Sequence, residues 1–215
     1  MICGVDEAGR GPVMGPLVVC GVSIEGDEVL RKLGVKDSKK LSRSKREELS
    51  GKIQNVISRV EIIEVAASEI DILREEMTLN QLEVKVFASI IKSLDPEIAY
   101  VDAADVDEQR FAKDIRDEMG VHAINIVSEH KADDTYPVVS AASILAKVRR
   151  DAEVRRIEGE IGEPIGSGYA SDPVTIRFIE SWLARHDTLP PHTRKSWDTS
   201  SRLVNLKAIK KLDRY

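Results

Sequence analysis

The 215-residue sequence contains few cysteines and no long apolar run, and each shortage excludes a class of protein. Its two cysteines, Cys3 and Cys20, are too few for a disulfide framework and lie near no histidine pair at zinc-ligand spacing. No apolar run approaches the roughly 20 residues that a membrane-spanning helix needs, which argues against an integral membrane protein. The first residues also lack the basic start and apolar core of a secretory signal. We therefore expect a cytoplasmic protein with reduced thiols.

Two common catalytic motifs are absent as well. The chain has no Gly-x-x-x-x-Gly-Lys-Ser/Thr loop, which argues against a nucleoside triphosphatase of that type. It has no Gly-x-Ser-x-Gly turn to present a nucleophile, although its four histidines leave a Ser-His-Asp triad open. Neither an internal repeat nor a low-complexity tract is present.

The apolar patterning predicts an α/β protein built on a mixed sheet, with a helical C-terminal part. Hydrophobic residues make up 42% of the chain, enough for a conventional core. The predicted strands are 2–5, 17–22, 60–67, 98–101 and 122–127, and the predicted helices are 42–57, 79–94, 111–119, 137–162 and 172–186. The Pro190-Pro191 pair predicts a boundary between a catalytic domain, 1–191, and a basic helical segment, 192–215.

Charge is distributed unevenly along the chain. The net charge is −5, yet residues 192–215 carry seven basic side chains against two acidic ones. An acidic body with a basic tail fits a nucleic-acid enzyme, in which carboxylates hold metal and lysines meet phosphate. A helix with a solvated charged face explains the tail equally well.

Four acidic residues lie where predicted strands or helices begin or end: Asp6, Glu7, Asp102 and Asp133. Ends of strands in α/β sheets face the functional crevice, and carboxylate oxygens are the ligands of Mg²⁺ and Mn²⁺. Each acid taken alone is explained as well by the capping of a turn or helix. Together they indicate a site for a hard cation.

Asp6 and Glu7 are neighbours on one predicted strand, so ideal β geometry points them to opposite faces. Gly9 permits a bulge or twist close by, which would turn both toward one site. Alternatively, Glu7 reaches around the edge of the strand while Asp6 takes the central position.

The glycine-rich stretch Gly9-Arg10-Gly11-Pro12 follows these acids directly. Glycines let backbone N–H groups approach a phosphate or sugar hydroxyl closely, and Arg10 adds positive charge. A tight connection between two strands needs glycines too, so it is the position beside two acids that indicates a binding loop.

Five motifs follow one another along the chain. They are Asp6-Glu7-Ala8-Gly9-Arg10-Gly11-Pro12, Lys36-Asp37-Ser38-Lys39-Lys40-Leu41, Tyr100-Val101-Asp102, Glu129-His130-Lys131-Ala132-Asp133 with the helix 140–148, and Gly166-Ser167-Gly168-Tyr169-Ala170-Ser171-Asp172-Pro173. Their order and their residues resemble ribonuclease HII, from residue 3 to about residue 200. The residues at 129–133 and 194–197 are similar to those of archaeal members.

This resemblance implies an RNase H-like fold, with a mixed five-stranded sheet flanked by helices and a helical C-terminal region on the substrate groove. It implies Mg²⁺- or Mn²⁺-dependent cleavage of RNA in RNA–DNA hybrids and 5′ of single ribonucleotides in duplex DNA, leaving 3′-hydroxyl ends. It also implies roles for particular residues. The metal-binding catalytic acids would be Asp6, Glu7, Asp102 and Asp133. The ribonucleotide would be contacted by Gly9, Arg10 and Gly11, and the next deoxyribose would pack against Tyr169. The expected phosphate partners are Lys39, Lys40, Lys131 and Lys147.

Several alternatives stay open. Asp134 follows Asp133, and a slip of one residue would exchange their roles; Tyr169 also fits a core aromatic with a satisfied hydroxyl. Another carboxylate–metal nuclease or phosphatase on the same sheet, or a module that binds hybrids without cutting, would share many of these features. We expect a monomer, and the end of the chain, Leu212-Asp213-Arg214-Tyr215, weakly resembles a sliding-clamp-binding tail.

Overall fold

The computed structural model describes residues 1–35, 41–120 and 124–212. It confirms the predicted α/β architecture, with a mixed five-stranded sheet in the order β3-β2-β1-β4-β5. The strands are β1 (Ile2–Ala8), β2 (Leu17–Ile24), β3 (Arg59–Val65), β4 (Ile98–Asp102) and β5 (Asn125–Glu129).

Helices occupy most of the remaining described chain. They are α1 (Glu28–Leu33), α2 (Arg43–Gln54), α3 (Ala67–Leu73), α4 (Leu79–Leu94), α5 (Glu108–Met119), α6 (Ala132–Thr135), α7 (Pro137–Ile161), α8 (Pro173–His186) and α9 (Asp198–Leu212). Within the described ranges, no helix combines the length and apolar character needed to cross a membrane.

β1 is the central strand and combines both kinds of pairing. It forms an antiparallel hairpin with β2 and runs parallel to β4, which in turn runs parallel to β5. In the β1–β4 pair, Val5 lies opposite Val101. The carboxyl ends of these three parallel strands therefore meet at one edge of the sheet, where α/β proteins place their sites.

Two glycines let helices pack directly on the β1–β2 hairpin. A methyl group at Gly4 would lie 2.3 Å from the backbone carbon of Val138, at the start of α7. A methyl group at Gly21 would lie 2.2 Å from Cγ2 of Ile90 on α4. Because Gly21 is paired with Val5 and not with Gly4, α7 and α4 cover opposite faces of the hairpin.

Both cysteines are buried free thiols, as expected. Cys20 is paired with Asp6 and Cys3 with Ser23, so strand alternation places the two thiols on opposite faces of the hairpin. Burial raises the pKa of Cys3 to about 12, and it also raises the pKa of Cys20. Neither thiol therefore ionises near neutral pH.

The chain forms two compact units, each with its own apolar cluster. The first comprises Met1–Ala8, Val18–Glu64 and Met77–Arg149, and the second comprises Gly9–Leu17, Val65–Glu76 and Arg150–Tyr215. The first cluster joins residues of β2 to the small apolar face of α7. The second joins the β1–β2 loop (residues 9–16) to α7, α8 and α9, including the buried Leu203. Helix α9 thus contributes to a hydrophobic core.

Three short helices were not expected from the sequence: α1, α3 and α6. The predicted strand 60–67 ends at Val65, because Ala67 already belongs to α3. Helix α1 buries only Leu30, so its sequence carries little amphipathic signal.

Candidate active site

Asp6 and Asp102 lie at the carboxyl ends of adjacent parallel strands. Asp6 directly follows the Val5–Val101 pair on β1, and Asp102 directly follows it on β4. The Asp6 side chain is 4% exposed. The sheet therefore brings together two acids that are separated by almost half of the sequence.

The buried Asp6 carboxyl is surrounded by other acids. Burial raises its pKa well above the ordinary value, and the negative charges of Glu7 and Asp102 raise it further. A hydrogen bond from the Ser143 hydroxyl and one from the Glu7 N–H, at 2.6 Å, only partly offset these effects. A cation at this position would relieve the repulsion among the three carboxylates.

Glu7 follows Asp6 on a regular strand and is half-buried. The β1–β2 pairing continues without a bulge, since Glu7 lies opposite Val19 and Ala8 opposite Val18. The left-handed backbone comes only at Gly9, where φ is +89°. The sequence left two alternatives for Glu7, a bulge or twist near Gly9 and a reach around the edge of the strand. The regular pairing as far as Ala8 shows that β1 has no bulge at Asp6 or Glu7.

Asp102 is joined to the segment that carries the fourth acid. Its Oδ1 accepts a hydrogen bond of 2.9 Å from the backbone N–H of Ala132, the first residue of α6. Asp133 follows and is 2% exposed, whereas Asp134 is exposed. Lys131, with a φ of +57°, turns the chain from β5 into α6. Burial thus distinguishes two adjacent aspartates that the sequence left ambiguous.

The donor set fits a hard divalent cation, because it consists of carboxylate oxygens concentrated in a buried, negatively charged region. Within residues 1–35, 41–120 and 124–212, no three His, Cys, Asp or Glu side chains already have the spacing of a metal-ligand set. Instead, Asp6 accepts from Glu7 N–H and Asp102 accepts from Ala132 N–H. Side-chain rotation would have to accompany metal binding.

The β1–β2 loop, in the second unit, is held by a buried arginine from the segment 194–197, and nothing in the sequence indicated this contact. Arg194 is fully buried. Its guanidinium donates to the carbonyls of Gly9 at 2.5 Å, Arg10 at 2.8 Å and Gly15 at 3.0 Å. The guanidinium also lies over the ring of Trp197, with its carbon 4.8 Å from the ring centre. With their carbonyls held by Arg194, the backbone of Gly9 and Arg10 has a fixed course.

The same unit brings together two motifs that lie far apart in sequence. The backbone N–H groups of Val13 and Met14 donate to the carbonyl of Gly168, at 2.8 and 3.1 Å. A methyl group at Gly11 would lie 3.9 Å from Cε1 of Tyr169. The Tyr169 ring is half-buried, and Tyr169 is not among the residues that form the second apolar cluster or pack against it.

The structure describes two of the four lysines that are expected to meet phosphate. Lys131 is exposed beside Ala132, and Lys147 is half-buried on α7. Lys39 and Lys40 lie outside the described residues.

Comparison with known proteins gives a single result. The family model described as Ribonuclease HII matches residues 3–200. The ribonuclease HII of Methanocella arvoryzae is 48% identical over 94% of this chain and 91% of its own length. The fold matches that of Archaeoglobus fulgidus ribonuclease HII, solved in complex with PCNA, with a TM-score of 0.88 and 45% identity over 94% of this chain and 96% of that one. It also matches Pyrococcus horikoshii ribonuclease H2, with a TM-score of 0.88 and 41% identity over 95% of this chain and 97% of that one. The sequence motifs, the sheet that carries the acids and these relatives agree, and the chain belongs to the ribonuclease HII family.

Proposed function

We propose that this chain cuts RNA–DNA hybrids, and duplex DNA on the 5′ side of an embedded ribonucleotide, by means of Asp6, Glu7, Asp102 and Asp133. Membership of the family makes it an endoribonuclease that acts on RNA–DNA hybrids. What we propose beyond family membership is the position of the cut, 5′ of the ribonucleotide, and the four acids as the catalytic residues. The observation that carries it is the pair of acids at the ends of β1 and β4, buried Asp6 and half-buried Asp102, where burial and the charges of Glu7 and Asp102 raise the pKa of Asp6.

The four acids would hold the divalent ions, Mg²⁺ or Mn²⁺, that the family uses. When bound, these ions supply positive charge that stabilises the charge developing on the phosphate during hydrolysis. The chain's own part is to keep Asp6 buried and fixed to Ser143, so that its carboxylate orients one ligand position without solvent competition. Asp102, tied to Ala132, holds the adjacent α6 and hence Asp133 close to the sheet edge.

The β1–β2 loop would recognise the ribonucleotide. The 2′-hydroxyl distinguishes RNA from DNA and can both donate and accept a hydrogen bond. The backbone of Gly9, Arg10 and Gly11 would supply those partners, in continuity of sequence with Asp6 and Glu7. Tyr169, beside Gly11, would pack on the next sugar, where the absence of a 2′-hydroxyl marks a junction with DNA.

Basic side chains would supply affinity that does not depend on sequence. Lys39, Lys40, Lys131 and Lys147 are proposed to meet phosphates, because such contacts need only a charged side chain near the groove. Residues 192–215 carry a surplus of positive charge and are proposed to extend the substrate groove in the same way.

We also propose that the enzyme is a monomer and works in the cytoplasm, where it has access to chromosomal DNA. A sliding clamp is a second proposed partner, because the Archaeoglobus fulgidus relative was solved in complex with PCNA. The contact would be made by the end of the chain, from residue 212 to residue 215. Removing residues 213–215 should abolish binding to a purified archaeal clamp in gel filtration and leave cleavage of short duplexes unchanged.

The decisive experiment uses a DNA duplex with one ribonucleotide, an all-DNA duplex and a long RNA–DNA hybrid. Each is incubated with Mg²⁺, with Mn²⁺ and with a chelator, and the ends of the products are mapped. We expect a cut 5′ of the ribonucleotide with a 3′-hydroxyl end, only when metal is present. Cleavage of all-DNA duplex would indicate a different nuclease, and binding without cleavage would indicate a recognition module.

Variants then test the acids. Asp102→Asn should lower kcat by at least about a hundredfold without lowering the melting temperature, since it removes a ligand but also a repulsive charge. A matched pair of variants, Asp133→Asn and Asp134→Asn, makes the same chemical change at two adjacent residues. We expect the first to be far more damaging, because Asp133 is buried and Asp134 is exposed; the reverse order would exchange their roles.

A further inference from the structure

Arg150 on α7 is a charged residue in a position where apolar side chains are expected. Its side chain is 1% exposed, and it lies on the same helical face as Val154 and Ile157, which belong to the second apolar cluster. Burial lowers the pKa of the guanidinium, although arginine keeps its proton in proteins. A buried charge costs free energy unless its surroundings compensate it, so the contacts of Arg150 need an explanation.

The guanidinium lies against the motif that contains Tyr169. Its carbon is 5.0 Å from the centre of the Tyr169 ring, within the range of a cation–π contact. Nη2 donates to the carbonyl of Ser167, and Nη1 is 3.6 Å from Oδ1 of Asp151. Among the described residues, Nε has no hydrogen-bond partner, although it is buried. Hydrogen bonds alone therefore do not fix the orientation of the guanidinium, and stacking against the Tyr169 ring supplies the remaining constraint.

Two glycines fix the position of this arginine from the other sides. A methyl group at Gly9 would lie 3.4 Å from Cγ and 3.5 Å from Nε of Arg150. A methyl group at Gly168 would lie 3.0 Å from its Nη2. The backbones of the β1–β2 loop and of the Tyr169 motif thus both pack on the Arg150 side chain.

We propose that Arg150 is the positioning residue for junction recognition: its planar guanidinium holds the Tyr169 ring and the Gly9 backbone in a fixed mutual geometry. The inference rests on the proposed role of Tyr169 at the sugar that follows the ribonucleotide. A ring that is free to rotate would accept a ribose and a deoxyribose there about equally. Arg150 therefore sets the preference for a single ribonucleotide over a continuous RNA strand, without touching the substrate.

Lysine cannot replace arginine in this role. Its ammonium is a point charge on a flexible stem and has no plane to stack on the ring. Methionine has a similar length and suits an apolar position, but it provides neither charge nor plane. The two substitutions therefore separate packing, charge and planarity. Arg156, six residues further along α7 and exposed in ion pairs with Glu153 and Glu160, offers a matched control.

The test measures kcat/KM on a duplex with one ribonucleotide and on a long RNA–DNA hybrid, and takes the ratio of the two. The proteins are the wild type, Arg150→Met, Arg150→Lys, Arg156→Met, Tyr169→Ala and the double variant Arg150→Met/Tyr169→Ala. Melting temperatures are measured for all six. A purely structural role would lower both rates in proportion and leave the ratio unchanged.

We expect Arg150→Met and Arg150→Lys to lower the ratio at least fivefold, with melting temperatures within about 4 °C of the wild type. Arg156→Met should change neither quantity. In the Tyr169→Ala background, adding Arg150→Met should change the ratio less than twofold, because the residue that it positions is gone. If Arg150→Met fails to fold, Arg150→Lys decides.

Three outcomes would overturn the inference. The first is an unchanged ratio in the Arg150 variants while Tyr169→Ala lowers it, which leaves the proposed function intact. The second is a double variant whose ratio falls by the product of the single effects, because Arg150 would then act independently of Tyr169. The third is an unchanged ratio in Tyr169→Ala, which removes the role of Tyr169 as well. Failure of the wild type to cut either substrate would refute the proposed function itself.

Discussion

Replacing Arg194 by methionine should loosen the β1–β2 loop and lower the free energy of unfolding by about 3–5 kcal/mol, because it leaves backbone carbonyls without their hydrogen-bond donor. The magnitude follows from the groups that lose their partner. The carbonyls of Gly9 and Gly15 are buried and that of Arg10 partly so. Each buried carbonyl left without a donor costs about 1–3 kcal/mol, while the guanidinium no longer has to be desolvated.

Two measurements check this expectation. Urea unfolding gives the global loss, and hydrogen exchange at the N–H groups of Val13 and Met14 reports local opening of the loop, since both bond to Gly168. A local loss of about 3 kcal/mol speeds exchange roughly a hundredfold. The matched control is Arg202→Met, an exposed arginine on α9, which should stay within about 0.5 kcal/mol. An Arg194→Met variant as stable as this control, with unchanged exchange, would show that the loop is held by other contacts.

Three further expectations concern other parts of the chain. Hydrogen bonds from Arg110 and from the backbone lower the pKa of the buried Asp105 to about 2, so its stabilisation is complete above about pH 4 and is lost as the pH falls toward 2. Asp105→Asn should therefore destabilise by about 1–2 kcal/mol at pH 7, discounted for the half-exposed Arg110, and the difference from wild type should vanish near pH 2 in thermal melts. Gly4→Ala should cost about 1–3 kcal/mol in urea unfolding, because its methyl group would collide with the backbone of Val138; a neutral result would mean that α7 can move away. Lys131→Gln should weaken duplex binding and lower the salt slope by about one, and an unchanged slope would remove this lysine from the interface.

The sequence predicted secondary structure correctly where the local pattern of apolar residues matches the burial that the fold imposes. The β-branched residues of β1 and the apolar run of β4 predicted two strands, and the ends of these strands located Asp6 and Asp102. The periodicity of α4 predicted that helix from Leu79 to Leu94, which the structure reproduces. What the sequence could not give was the parallel pairing of β1 with β4, because a pairing across about 95 residues leaves no local signal.

The two buried arginines, Arg150 and Arg194, show why some contacts near the candidate site could not be predicted from the sequence. Arg150 stands in a charged part of α7 and Arg194 in a basic tail, and in such surroundings arginine side chains are usually exposed. For Arg150 a signal did exist, since it precedes Val154 and Ile157 by four and seven residues and so occupies the apolar face. For Arg194 no such pattern exists, because its partners are backbone carbonyls about 180 residues away.

The hydrogen bond between Arg194 and Gly9 joins residues that are 185 positions apart, so it forms late in the synthesis of the chain. At ribosomal rates of about 5–20 residues per second, Gly9 leaves the tunnel roughly 10–40 s before Arg194. Throughout that interval the β1–β2 loop has carbonyls that lack their donor, and its backbone course is not yet set. A nascent or prematurely terminated chain that lacks Arg194 therefore has the four acids but not the hydrogen bonds that fix the loop proposed to read the ribonucleotide.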